Sequence, residues 1–173
     1  MPNIPNTKEH PILFSSSSIT AILEGRKTQT RRIIRTQRTQ RSSCPYKVGM
    51  RLWVRETWGL YDTEPKDGPE HAMIFYRASD GDNYELRYQL WRPSIFMPRW
   101  ASRIMLEIVR VRIERLQDIS EADAIAEGVT AAISARESYQ TLWDQINKKR
   151  GWAWECNPWV WVIEFKKLAE SCE

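Results

Sequence analysis

A chain of 173 residues with 42% hydrophobic residues is long enough to bury one real core, and it reads as a single domain. Its formal net charge of +4 permits a nucleic-acid partner without demanding one, and no apolar run approaches the length of a membrane-spanning helix. Cys44, Cys156 and Cys172 are odd in number, widely separated and far from both histidines, which argues against a disulfide framework or a structural zinc; neither metal nor other cofactor is expected.

Residues 1–11 carry three prolines and no periodicity and are expected to form an N-terminal arm. They contain no apolar h-region of a secretory leader, so the expected compartment is the cytoplasm, with no membrane partner. Ile12-Leu13-Phe14 reads as a short strand. From Ser18 to Glu24 a helix is predicted, with serine at its start and Ile19, Ile22 and Leu23 at helical spacing. Gly25 then stands where a left-handed C-cap belongs. The stretch that follows, Arg26-Lys27-Thr28-Gln29-Thr30-Arg31-Arg32, is a basic, hydroxyl-bearing corner between a helix and a strand. Strict strand alternation would put Lys27 and Thr30 on opposite faces, so a shared site requires Lys27 to lie in the turn.

Residues 35–45 repeat arginine at Arg35, Arg38 and Arg41 and read as an inserted basic loop able to touch phosphates. Val48-Gly49 turns the chain into a strand from Met50 to Trp58, with Leu52, Val54, Glu56 and Trp58 on one face. A glutamate on that apolar face needs a partner, which makes Glu56 a site candidate. Residues 62–103 form a second insertion: a loop at 62–72, a hairpin of 73–78 with 84–90 around Ser79-Asp80-Gly81-Asp82, and an aromatic, proline-broken connection from Trp91 to Arg103. Ile104, Leu106 and Ile108 keep one parity while Val111 and Ile113 keep the other, which predicts a bulge near Val109 or Arg110.

Ser120-Glu121-Ala122-Asp123 opens a helix in capping-box style, and that helix ends at Ala126-Glu127-Gly128. Glu127 is an anion facing the negative end of a helix dipole, at a cost of about 0.3–1 kcal/mol, so it is a candidate acid/base group. A longer helix spans 134–149 with Tyr139, Leu142, Trp143 and Ile146 as its core stripe. The last strand, 159–168, is apolar on both faces and should be central, before a short tail at 169–173.

Nine tryptophans is a high count, and several adjoin arginines: Trp53 and Trp58 flank Arg55, Trp91 precedes Arg92, and Trp100 follows Arg99. Such pairs suit the stacking of bases.

The ordered set of Gly25-Arg26-Lys27-Thr28-x-Thr30-x-Arg32, Val48-Gly49, Ser120–Glu127 and Val162-Ile163-Glu164-Phe165-Lys166 resembles the ASCH domain, a branch of the PUA-like superfamily. The resemblance spans 12–168. The strand around Trp53 and the Trp91–Arg103 connection look like the larger phage- and prophage-associated members. It implies an α+β fold: a curved, mostly antiparallel PUA-like β-barrel with flanking helices and an RNA-related cleft beside the basic corner. One small bacterial member is an amidohydrolase that deacetylates N(4)-acetylcytidine with a lysine, a threonine and a glutamate. Those positions fall here on Lys27, Thr30 and Glu127. A ribonuclease activity is also attached to one ASCH protein, which leaves ribonuclease as a further alternative.

Two function classes follow, with RNA or a modified nucleoside as the partner. In the first, Lys27, Thr30 and Glu127 hydrolyse an acylated cytidine. In the second, the protein is a non-catalytic RNA-binding module. In either, Arg26, Arg32, Trp53, Arg55, Glu56, Trp58, Trp91, Arg99 and Arg103 are the expected substrate or RNA contacts.

Overall fold

A computed structural model of the protein describes residues 9–35, 44–61, 73–81, 91–130 and 134–169. The strands are β1 (Glu9–Leu13), β2 (Gln29–Ile33), β3 (Arg51–Arg55), β4 (Trp58–Leu60), β5 (Ile74–Tyr76), β6 (Met105–Arg115) and β7 (Trp159–Lys167). The helices are α1 (Ser16–Leu23), α2 (Arg77–Asp80), α3 (Glu121–Ala126) and α4 (Ala135–Asn147). Five strands make one sheet in the order β1-β3-β6-β7-β2, antiparallel except for the β1–β3 pair. The expected mostly antiparallel α+β architecture is observed, with the sheet open and β1 and β2 at its edges rather than closed on itself. Among the described residues, no helix is long and apolar enough to cross a membrane.

The interior strand β7, expected to be central and found one in from the β2 edge, is apolar on both faces because each face meets its own core. Ile163 and Phe165 pack with Ile12, Phe14, Ile19, Ile22, Leu106 and Ile108. Val160 and Val162 pack with Leu116, Tyr139, Trp143 and Trp154, under α3 and α4. The expected bulge falls between Ile108 and Arg110. It carries structural weight: before it, Leu106 and Ile108 face the first core. After it Arg110, Arg112 and Glu114 face the second, opposite Glu164, Val162 and Val160. The polar half of β6 is thereby delivered to the α3 side.

Several local expectations are corrected. α1 starts at Ser16 with Ser15 as its N-cap, and β1 begins at Glu9, inside the expected arm. Pro11 is tolerated there because β1 is an edge strand. The predicted Met50–Trp58 strand breaks at Glu56-Thr57, since β4 leaves the main sheet to pair with β5. The 73–78 segment is therefore a partner of β4, and Ser79-Asp80 form part of α2. The Asp80 carboxylate accepts the Tyr76 backbone N–H at 2.8 Å and closes that turn. The proposed second hairpin strand, 84–90, and Arg38 and Arg41 lie outside the described residues. In α4, Tyr139 and Trp143 are buried, whereas Ile146 is exposed.

Candidate active site

The corner between α1 and β2 is built as the glycine pattern requires. Gly25 has φ +74°, and the Arg26 and Lys27 N–H groups both return to the Ala21 carbonyl at 2.9 Å. Lys27 thus lies before regular strand geometry begins, in an isolated antiparallel bridge with Glu127. On the other side of that bridge, Ser120 caps α3 by accepting the Asp123 N–H at 3.1 Å. The helix stops at Glu127, and Gly128 turns the chain away at φ +88°. A Cβ at Gly128 would come within 2.8 Å of the Ala21 Cβ and 2.9 Å of the Lys27 Cβ. Only glycine allows the two segments to approach this closely.

The two residues are in direct contact. Lys27 Nζ donates to the Glu127 backbone carbonyl at 2.7 Å and to its carboxylate Oε2 at 2.8 Å. Both side chains are 4% exposed. An ammonium has three N–H donors, and the third has no hydrogen-bond partner among the described residues. Burial holds the Lys27 pKa below its ordinary value, outweighing the charge and hydrogen bond of Glu127, which act the other way; Arg32 and Arg31 add to the lowering.

The other carboxylate oxygen of Glu127 accepts from Arg31 Nη1 at 3.1 Å. Arg31 also binds Glu114, and reaches Asp123 at 3.4 Å. Arg112 extends the lattice to Glu114 at 3.1 Å, Asp123 at 3.0 Å and Glu164. Sequence reasoning missed this network, although two signals were present. Arg31 shares strand parity with Lys27 and Gln29, and the β6 bulge shifts Arg112 and Glu114 onto the same face.

Thr30 is 5% exposed and pairs with Ile163, so it faces the first core, opposite to Arg31. Its hydroxyl makes no hydrogen bond among the described residues, to Lys27 or otherwise. Phe14 links the two sides of β2: Lys27 Nζ lies 5.7 Å and the Arg32 guanidinium 5.1 Å from its ring centroid. A groove of about 240 Å³ adjoins the pair, lined by Ser17 and Ser18 of α1, Glu127 to Thr130, and Ser138 and Leu142 of α4.

The other expected contacts do not gather here. Arg26 donates to the Gly128 carbonyl at 2.9 Å and pairs with Glu24 at the rim. Glu56, 1% exposed, is gripped by both arms of Arg103 at 2.9 Å, and Arg103 stacks 3.9 Å from the Tyr76 ring centroid. That is a structural ion pair, so neither residue is free to read a base. Trp58 is 2% exposed in a small cluster with Met97 and Ala101, and Trp53 is 8% exposed beneath Arg55. Burial removes both rings from stacking. Trp91 packs edge-on to Phe75 under Arg77, Arg55 donates to the Ile95 carbonyl, and Arg99 is paired with Glu9. These seven residues form a satellite assembly rather than a wall of the Lys27 site.

No protein-family model matches the sequence, and no curated protein does either. Among solved structures, the chain is similar to an ASCH domain from Lactobacillus crispatus JV V101, at a TM-score of 0.50 and 15% identity. The match covers 93% of this chain and 80% of that one. It also aligns with a DUF984-family protein from Enterococcus faecalis V583 at a TM-score of 0.48 and 12% identity, covering 93% and 76%.

Proposed function

We propose, taking the ASCH-domain fold as the premise, that this protein is an RNA-related amidohydrolase acting on an N(4)-acylated cytidine through Lys27, Thr30 and Glu127. The observation that carries the reading is the buried Lys27–Glu127 contact at 2.8 Å, in a site where burial drives the lysine toward its neutral form. A lysine in its neutral form is an amine able to act as a base, and the Glu127 carboxyl group beside it can relay a proton. The mechanism requires the Thr30 hydroxyl, which makes no hydrogen bond among the described residues, to come within reach of that amine when substrate binds. Lys27 removes the hydroxyl proton as Thr30 Oγ1 attacks the acyl carbon, and Glu127 relays that proton from Lys27 to the departing N4 of cytidine as the C–N bond breaks, which returns Lys27 to the amine. Water then hydrolyses the threonine ester, with Lys27 as the base. Arg31 keeps Glu127 oriented throughout.

The satellite assembly favours this reading over a broad RNA-binding face, because Arg99 and Arg103 already have carboxylate partners within the protein. The deciding experiment incubates wild type and Lys27→Arg with N(4)-acylated cytidines and follows release of cytidine. Arginine keeps the charge but cannot deprotonate. Turnover should fall at least a thousandfold in Lys27→Arg, while Thr30→Ser retains part of the activity and Thr30→Val almost none. Full turnover in Lys27→Arg would sink the mechanism. Binding of RNA by a wild type that consumes no acylated cytidine would leave the non-catalytic module as the reading.

A further inference from the structure

Two arginines of this protein meet a buried glutamate in different ways. Arg103 turns its Nε–Nη2 edge on Glu56 and gives each carboxylate oxygen one hydrogen bond of 2.9 Å. Arg31 has the same edge, but Glu127 does not receive it. Its Nε and Nη2 both donate to one oxygen of Glu114, Oε1, with the Nε contact at 3.1 Å. Glu127 is left with a single N–H, from Nη1 to its Oε1 at 3.1 Å. Its Oε2 is thereby open to Lys27 Nζ at 2.8 Å. The Arg31 side chain is 0% exposed, so these carboxylates compete for a fixed set of donors.

Glu114 is itself held in place. The β6 bulge sets it opposite Val160, on the side of the second core. Its other oxygen, Oε2, accepts Arg112 Nε at 3.1 Å, and Arg112 goes on to Asp123 at 3.0 Å and to Glu164. Asp123, the remaining acid beside Arg31, reaches Nη2 only at 3.4 Å and does not touch Nε.

We infer that Glu114 is a positioning residue for the Lys27–Glu127 pair: it occupies the Nε–Nη2 edge of Arg31, so that the arginine gives Glu127 one hydrogen bond instead of two and the lysine keeps its share of the carboxylate. Bidentate pairing is the geometry in which a guanidinium binds a carboxylate most strongly. Without the Glu114 charge, two changes act in one direction. The edge is released to clamp Glu127 as Arg103 clamps Glu56, and the Arg31 charge loses a counter-ion. Both work against the ammonium of Lys27, which burial and Arg31 already disfavour. A clamped carboxylate also has no oxygen left to take a proton from the lysine. The other charged or titratable groups around the pair are Arg32 in β2, Arg112 in β6, Asp123 in α3, Glu164 in β7 and Tyr139 in α4. Burial lifts Tyr139 well above its ordinary pKa, so the phenol stays neutral while Lys27 titrates. The inference rests on the hydrolase reading only for its effect on turnover.

Titration of the Lys27 amine by nitrogen NMR, with Lys27→Met identifying its signal, tests the inference without any substrate. In Glu114→Gln, nearly isosteric but uncharged, the Lys27 midpoint should move to lower pH. Glu114→Asp keeps the charge and draws the carboxylate back by one methylene, so it should move the midpoint the same way by less. Glu164→Gln removes a carboxylate that binds Arg112 but not Arg31, and should leave the midpoint near that of wild type. An unchanged or raised midpoint in Glu114→Gln would overturn the inference. So would an equal shift in Glu164→Gln, which would make the effect a general field of the network. If Glu114→Gln fails to fold, Glu114→Asp decides, and an unmoved midpoint there overturns it. With an acylated cytidine, Glu114→Gln should lower kcat by about tenfold or more at little change in KM, and carry the acid limb of the pH profile downward. A wild type without turnover removes the hydrolase reading and leaves the titration result standing, so the two failures are distinct.

Discussion

Two carboxylates on this chain look misplaced from sequence, and the fold buries both: Glu56 at 1% exposure and Glu127 at 4%. Their partners make them different objects. Glu56 meets one arginine through two hydrogen bonds of 2.9 Å, and the pair is capped by the Tyr76 ring. An arginine does not give up its proton, so the pair is a static clamp. Glu127 is shared between Arg31 and a lysine, and a buried lysine is the cation that can become neutral. The lesson is that an out-of-place carboxylate marks a site only when its partner can exchange a proton. Burial alone does not distinguish the two.

The comparison is broken most severely by removing the clamp. Glu56→Ala strips Arg103 of its only ion pair among the described residues, and loss of one partner of a buried pair costs about 3–5 kcal/mol. Urea denaturation should register a loss of that size. Glu127→Gln should cost distinctly less, because Arg31 keeps Glu114 and Asp123 and Lys27 can discard its proton. Equal losses from the two substitutions would erase the proposed difference between a static and a proton-exchanging pair.

A smaller effect should come from the backbone that joins the reactive pair. Gly128→Ala forces an L-residue to φ +88° and drives a methyl group against Ala21 and Lys27. Backbone strain of this type is worth about 1–3 kcal/mol. Because one of the atoms in the way is the Lys27 Cβ, the substitution should cut turnover more steeply than stability. Gly151→Ala, also at positive φ but with nothing within 4 Å of the added methyl, should strain the chain without affecting turnover. If both variants keep full activity, close approach at Gly128 does not position Lys27.

Much of the frame was legible because its signals are local. Gly25 and Gly128 mark left-handed turns, Ser120 marks a helix start, the parity change across Val109 marks a bulge, and the two-sided apolar pattern of 159–168 marks a central strand. Lys27 and Glu127 were paired by the resemblance, and each stands within two residues of one of those glycines. What sequence did not disclose is non-local. Nothing near Arg31 announces Glu114, 83 residues away, because their meeting depends on β7 lying between β2 and β6 and on the bulge setting the register. The tryptophan–arginine pairs misled for a related reason. Adjacent aromatic and basic residues serve a stacking cleft and a sealed satellite core equally well, and which one forms is decided by distant partners such as Met97 and Ala101.

The smallest expected effect is a slope rather than a step, and it tests the lysine directly. Burial lowers the Lys27 pKa in the folded protein, so between that value and the unfolded value near 10.5 the unfolded chain binds more protons. Stability contributed by this residue must therefore rise as pH rises through the window, and the cost of keeping the ammonium buried is fully present below it. A lysine held mainly by its salt bridge would show the reverse, with a raised pKa and stability lost on going alkaline. Lys27→Met keeps much of the apolar stem and removes the titration. The stability of wild type relative to Lys27→Met, measured by urea denaturation from pH 7 to pH 10, should shift in favour of wild type as pH increases. Groups remote from position 27 cancel in that difference. A shift in the opposite direction would mean that Glu127 outweighs burial, and that Lys27, like Arg103, is a fixed cation rather than a base.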